Sequence, residues 1–366
     1  MGLTATTGPR QSGQQLVLSR SWQPALAVLI GSFVSLLGLS WDAQWHSDVG
    51  PDTFFTLPHL ILYSGSAIAG TASLAVVLVT TAAARAGRPI DSVVGGRAVG
   101  VLGTFRAPVG YLVAGCGAAS FLLYGLWDLW WHSLYGFDAV LESPPHIGLL
   151  LSISVTMIGA IVAFAAARDR RWGLPGAVAA TSLLLGFWCL IVVVLQELGD
   201  TLNWIAVGSG GIAAPLLLMI RSLAGRTGAI VLTAGALALL QGALWWFAPW
   251  ATKVYADSVS LPLRDAILGV PVMAALMPMC LVVVAAGAES IFWLRGRDRW
   301  RYPVAGAFLA GAVAACAPYQ DMLVYDAGVP PVHRVIPAVA VSVVAGAVAG
   351  AIGHELGAMV RTGVAR

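Results

Sequence analysis

Two stretches of this sequence hold residue types that bind metal ions or move protons. The first reads Trp41-Asp42-Ala43-Gln44-Trp45-His46 and goes on to Pro58-His59. The second reads Trp127-Asp128-Leu129-Trp130-Trp131-His132 and goes on to Pro145-His146. In each, Asp and His are four residues apart, so they share one face of a helix. The third member, a His after a Pro, opens the next helix, which returns antiparallel beside the first. Asp, His and His thus converge from two adjacent helices. Imidazole suits Cu, Zn, Fe or Ni, and a carboxylate adds charge and hardness. Two His and one carboxylate leave open positions on an ion, the pattern of a reactive centre. The bland alternative is a hydrogen-bonded Asp–His dyad at a helix end.

The match between the stretches extends into the loops. Ser47 pairs with Ser133, Gly50 with Gly136 and Asp52 with Asp138. The offset is 86 residues and becomes 87 at the Pro-His pairs, after a one-residue insertion. The pattern reads as an internal duplication of a helical hairpin, with the copies running parallel.

The elements that must carry these residues follow from composition. The chain has 366 residues, 58% hydrophobic and 10% charged, with mean hydropathy +0.84. An ordinary soluble domain has roughly a quarter charged. A soluble enzyme, a disordered protein and a nucleic-acid binder are thereby excluded. A bilayer core needs about 20 apolar residues per helix. Ten such stretches occur, at 23–45, 58–84, 108–132, 145–167, 175–198, 204–220, 228–250, 263–292, 303–325 and 332–360. The expected fold is all-α and polytopic, with 42 Gly allowing close helix packing in lipid. Residues 1–21 read as a disordered tail and 22–366 as one transmembrane domain. Within it, 22–85 and 108–167 are the duplicated hairpins and 173–366 the remaining helices.

Charge sets the expected orientation. The tail, the even-numbered connections and the C-terminus hold 17 of the 20 basic residues, leaving Lys253, Arg264 and Arg334 for the other side. The positive-inside rule then places both termini in the cytoplasm of a cell-membrane protein. The Asp–His helix ends face outward. Asp42 lies some 20 residues into its span, about 30 Å along it. Twelve acids accompany the three bases on that outer side, so a cation is drawn towards it.

The spacing Asp42-x3-His46-x12-His59 resembles the metal-ligand motif of the C subunit of copper membrane monooxygenases, the particulate methane and ammonia monooxygenases. The resemblance implies copper held by Asp42, His46 and His59 just inside the outer membrane face. Through the repeat it extends to Asp128, His132 and His146. This chain differs in having more helices, in carrying the motif twice and in spacing the second pair of histidines by 13 residues.

Other residues at the same helix ends are candidates for completing or shaping a site. Glu197 ends the fifth span, and Asp321 and His333 flank the ninth connection. Trp41 and Trp127 precede the Asp in both copies, as an apolar shell or as members of an aromatic belt. Cys116, Cys189, Cys280 and Cys316 occur singly and read as small buried hydrophobes. Four functions compete. The first is a copper-dependent oxidoreductase of monooxygenase type acting on an apolar substrate with partner subunits. The second is copper or zinc transport or insertion. The third is a b-type haem oxidoreductase subunit, and the fourth a non-metal scaffold or sensor.

Overall fold

The structure is a computed structural model, and it describes residues 21–136, 142–199, 201–267, 269–293 and 298–363. The tail 1–20, Asp138 and Asp200 lie outside the described residues. In a span with no water available, each backbone N–H and C=O must be satisfied within the protein, so apolar stretches of this length become helices. Eleven helices occur among the described residues: α1 (Trp22–Asp48), α2 (Leu57–Arg85), α3 (Val109–Tyr135), α4 (Pro144–Ala166), α5 (Gly173–Val193), α6 (Trp204–Ala224), α7 (Ala229–Ser258), α8 (Val272–Leu276), α9 (Leu281–Ile291), α10 (Asp298–Val324) and α11 (Val332–Gly363). A 3-10 turn, Val194–Leu198, ends α5. With α8 and α9 counted as one, ten segments among the described residues are long and apolar enough to cross a membrane. The chain is a multi-pass, almost wholly α-helical membrane protein.

Two departures from the expected elements have local causes. A short antiparallel hairpin, β1 (Ala98–Val101) and β2 (Phe105–Pro108), lies between α2 and α3. The Thr81 hydroxyl of α2 donates to the carbonyl of Arg106 and accepts from its N–H, at 3.2 and 2.9 Å. The hairpin is thus pinned to the helix before it. The eighth span, expected to be continuous, is broken. Pro278 disfavours a helical residue before it, and Met277 accordingly takes φ −72° and ψ 134°.

Three glutamines hold the broken span. Gln241 Nε2 of α7 donates to the carbonyls of Ala274 and Met277 at 2.9 and 3.2 Å. Gln320 Nε2 of α10 donates to those of Ala275 and Met277 at 2.6 and 3.1 Å, and its Oε1 accepts from Met279 N at 2.8 Å. Gln44 Oε1 of α1 accepts from Val272 N at 2.9 Å. Each satisfies a backbone group at the break, which is the condition for irregular backbone at membrane depth.

Helix pairing sets the stage for the motif residues. α1 lies along α2 and α3 along α4, while α2 meets α3 and α1 meets α4. A Cβ on Gly38 would strike the backbone of Leu62, and one on Gly159 the backbone of Ala114. Glycine at these two positions brings each pair of helices close enough for side chains near their ends to touch. At the far end of the bundle, Glu289 forms a buried pair with Arg221 at 3.3 Å and accepts from Ile230 N at 3.2 Å. There His354 stacks on Tyr302 at 4.0 Å and meets the Ser222 hydroxyl at 3.1 Å. His354 and Glu289 are both tied into helix packing.

Replacing Gln320 with Leu removes the side-chain partner of the buried residue Ala275's carbonyl, at about 1–3 kcal/mol, and that of the exposed Met279 N–H. Thermal unfolding in detergent is expected to show a lower midpoint than wild type, with helix content retained.

Candidate metal centres

The last turns of α1 carry Asp42 and His46, and the first turn of α2 carries His59. The connection between them turns at Gly50, whose φ of +102° suits glycine. The loop is braced by Trp45 Nε1 donating to Pro51 O at 2.7 Å and by Arg264 N donating to Asp48 O at 2.8 Å. It then delivers Asp52 beside the two histidines. His59 Nε2 stands 3.1 Å from Asp42 Oδ1 and 3.4 Å from Asp52 Oδ2. His46 Nε2 stands 3.0 Å from Asp52 Oδ2 and 3.8 Å from Asp42 Oδ1. The first centre therefore has four convergent donors, and Asp52 was not among the three expected.

The second centre has the same placement on α3 and α4. Asp128 Oδ1 lies 3.3 Å from His132 Nε2 and 3.3 Å from His146 Nε2, and the two nitrogens are 3.4 Å apart. Asp128 and His132 are both buried. The loop after His132 turns at Gly136, with φ +83°. The counterpart of Asp52 in sequence is Asp138, outside the described residues.

The hydrogen-bonding state of the histidines tests whether a cation fits. His59 Nδ1 is 3.0 Å from the Thr53 carbonyl, and His132 Nδ1 is 2.8 Å from the Gly136 carbonyl. A carbonyl only accepts, so each Nδ1 carries the proton. In the neutral ring the Nε2 lone pair then points into the cluster, towards carboxylate oxygens that also only accept. Acceptors facing one another at these distances repel unless positive charge lies between them, as protons or as a metal ion. The donor sets, each within 4.8 Å, fit an ion: four donors placed tetrahedrally at 2.0–2.1 Å stand about 3.3 Å apart. Carbonyl acceptors at the distal nitrogens are also what orients metal-ligating histidines. Two carboxylates in the first centre balance a divalent charge.

Asp52, in the loop, responds to this field. Burial pushes its carboxyl up, but the hydrogen bond from His46 and the charge of His59 outweigh that, and its pKa lies below the ordinary carboxylate value.

Both centres line one cavity of about 330 Å³. Its other walls are mainly aliphatic, including Leu39, Leu62, Leu150 and Ile153, with Val272 and Leu276 contributed by the broken span. Tyr63 is the remaining polar wall. Its ring stacks on His59 at 5.9 Å and lies 6.0 Å from Phe121 of α3. Tyr63 and Asp52 were missed from sequence. Asp52 had a signal, its match with Asp138 when the two stretches are aligned, whereas Tyr63 had none.

The other candidates lie elsewhere. Glu197 is exposed on the 3-10 turn, His333 is exposed at the start of α11, and neither they nor Asp321 line the cavity. Trp41 is buried on another side of α1, edge-on to Phe247 and Tyr255 at 5.9 and 5.8 Å. Trp127 is part-exposed beside Tyr124 and Trp131. The two tryptophans thus have different surroundings, and neither walls the cavity.

Comparison with known proteins finds no matching family model, no similar curated protein and no similar solved structure.

Replacing Asp52 with Asn is expected to weaken metal retention at the first centre by about tenfold or more, because it removes an anionic donor. Metal content after dialysis against a chelator, measured by mass spectrometry, checks this. Retention in the wild-type protein should also fall as pH falls, since protons compete for the same lone pairs.

Proposed function

We propose that this protein is the metal-bearing membrane subunit of a copper-dependent oxidoreductase of monooxygenase type, acting on an apolar substrate. The observation that supports this most is that both Asp–His–His sets line a single cavity whose other walls are largely aliphatic. A cavity of that character takes up a molecule that partitions into the bilayer and holds it against polar groups at one end. Copper agrees with the imidazole-rich donor set and with the spacing shared with copper membrane monooxygenase C subunits. Bound copper would supply one-electron redox chemistry. The protein's own residues bind and orient: Thr53 and Gly136 fix the imidazole rings, Asp42, Asp52 and Asp128 supply negative charge, and the aliphatic walls exclude water. Electrons come from partner subunits. The site opens on the extracytoplasmic side of the cell membrane, with both termini cytoplasmic, in accord with the arginine distribution. An internal duplication of the hairpin explains why the two centres occupy corresponding places on α1–α2 and α3–α4.

Haem fits this geometry poorly. His132 and His146 point their Nε2 atoms at each other across 3.4 Å, with Asp128 at 3.3 Å from both. A porphyrin plane has no room between them. A second reading, copper or zinc transfer across or into the membrane, is favoured by one feature. The broken span borders the cavity, as discontinuous helices do at transporter ion sites.

Protein purified in detergent and reconstituted with metal is expected to hold stoichiometric copper. The copper should be reduced in both His46→Ala and His132→Ala, as measured by mass spectrometry with a visible spectrum. A Soret band, or wild-type protein that retains no metal, overturns the proposal. Uptake of copper by sealed proteoliposomes supports the transfer reading instead.

A further inference from the structure

The face of α2 that carries His59 runs on towards the other end of the helix. His59, Tyr63, Ser66, Gly70, Ser73 and Val77 follow one another at steps of four and three, so they form one stripe. The first two wall the metal-bearing cavity, and the other four line a second hollow of about 490 Å³ between α2 and α3. On α3, Ala118 lines that hollow, and Phe121, Gly125 and Asp128 follow it on the same face. From Ser66 to Val77 the hollow runs along about 16 Å of helix. Its floor is closed where the helices meet, since a Cβ on Gly70 would come within 3.0 Å of Ala118 Cβ. Its side is open to the bilayer, where Leu74 and Leu122 are 57% and 67% exposed. Of the four cysteines expected to be buried only Cys189 is so, and Cys116 stands exposed in the wall of this hollow.

A pair of rings stands between the two hollows. Tyr63 lies one turn from Ser66 on α2, and Phe121 one turn from Ala118 on α3, each on the side of the metal centres. Their centroids are 6.0 Å apart. Phe121 is buried, whereas Tyr63 is half-buried and stacks on His59 at 5.9 Å and 22°. The Ser73 hydroxyl is spent on the Ala69 carbonyl at 2.8 Å, so the lane presents mainly hydrocarbon. A long apolar lane that opens on lipid and points at a chemical site suits an extended chain. We propose that this lane holds a free linear hydrocarbon chain, whose leading end passes between Tyr63 and Phe121 to the metal centres. Tyr63 is then a specificity-determining residue, because its ring sets how far the chain reaches. The proposal rests on the reading of the metal-bearing cavity as the place where an apolar substrate is held, and it names the class of that substrate. It also gives the chain contact with a metal-binding side chain, through the stacking of Tyr63 on His59.

The test uses the full chain in lipid nanodiscs and a long linear alkane carrying a diazirine at one end. After photolysis, peptide mapping of the wild-type protein is expected to find label at Leu74 and Leu122 in the lane and at Leu62 and Ile153 in the metal-bearing cavity. Leu239, which is 79% exposed on α7, reports contact with bulk lipid and should carry several-fold less label. Tyr63→Trp should lose the label in the cavity and keep it in the lane, and Tyr63→Ala should raise it in the cavity several-fold. Lane label no stronger than that at Leu239 overturns the proposal, as does a cavity left unlabelled in the wild type and in Tyr63→Ala alike. Cavity label that persists in Tyr63→Trp overturns the role of Tyr63. A phospholipid carrying the diazirine on its acyl chain should leave the cavity unlabelled, and equal labelling there overturns the assignment to a free chain. Metal content is measured on the same samples. The expected labelling in protein that retains no copper overturns the copper reading and leaves the route standing, whereas copper retained beside an unlabelled cavity overturns the route alone. The wild-type mapping does not depend on either variant folding.

Discussion

Carboxylates and imidazoles are crowded together at one end of this helical bundle, and the arrangement is stable only if positive charge joins them. His59 and His132 each turn Nδ1 to a backbone carbonyl. Their other nitrogens are left aimed at Asp42, Asp52 and Asp128 across 3.1–3.4 Å. In water such repulsion is weak, but in a part-buried site beside a hydrocarbon core it is amplified by the low dielectric. Protons can relieve it, and so can a metal ion of suitable size. The spacing of the donors suits the second as well as the first.

The surrounding structure serves that constraint. Close contact at Gly38 and Gly159 draws each pair of helices together so that residues from both can reach one ion. The positive-φ turn at Gly50 reverses the chain after the first Asp-x3-His and swings Asp52 back into the cluster, and Gly136 takes a positive φ after the second. The broken eighth span extends the influence of the site further. Gln44, two residues from Asp42 on α1, bonds to the first residue of α8 and also donates to Asp48 at 2.7 Å. The helix that bears the first centre is thereby tied to the segment that walls the shared cavity. A displacement of either one strains a buried hydrogen bond of the other.

Much of this was legible in the residues. Long apolar runs have one stable answer in a bilayer, so ten spans could be counted, and the Asp-x3-His spacing put two donors on one helix face without further information. The pairing with His59 and His146 followed from the antiparallel return of the next helix. Less legible was the break in the eighth span, because a proline in an apolar run can kink a helix or end it. Which outcome follows depends on whether neighbours can satisfy the freed backbone, and here Gln241 and Gln320 do so from helices distant in sequence. Trp41 and Trp127 show the reverse case. Identical neighbours in sequence suggested identical roles, but one packs inside the bundle and the other stands half free.

The sequence by itself determined the class of protein, the number of spans and the six residues at the heart of the two centres. Hydropathy and helical periodicity are local properties, and both can be read along a single chain. Only the tertiary structure decided that the two centres share one cavity, that Asp52 and Tyr63 belong to it, and that Glu197, Asp321 and His333 do not. Those outcomes depend on how helices rotate about their own axes and which neighbours they meet. That choice is made by packing among many side chains at once, and no short stretch of sequence encodes it.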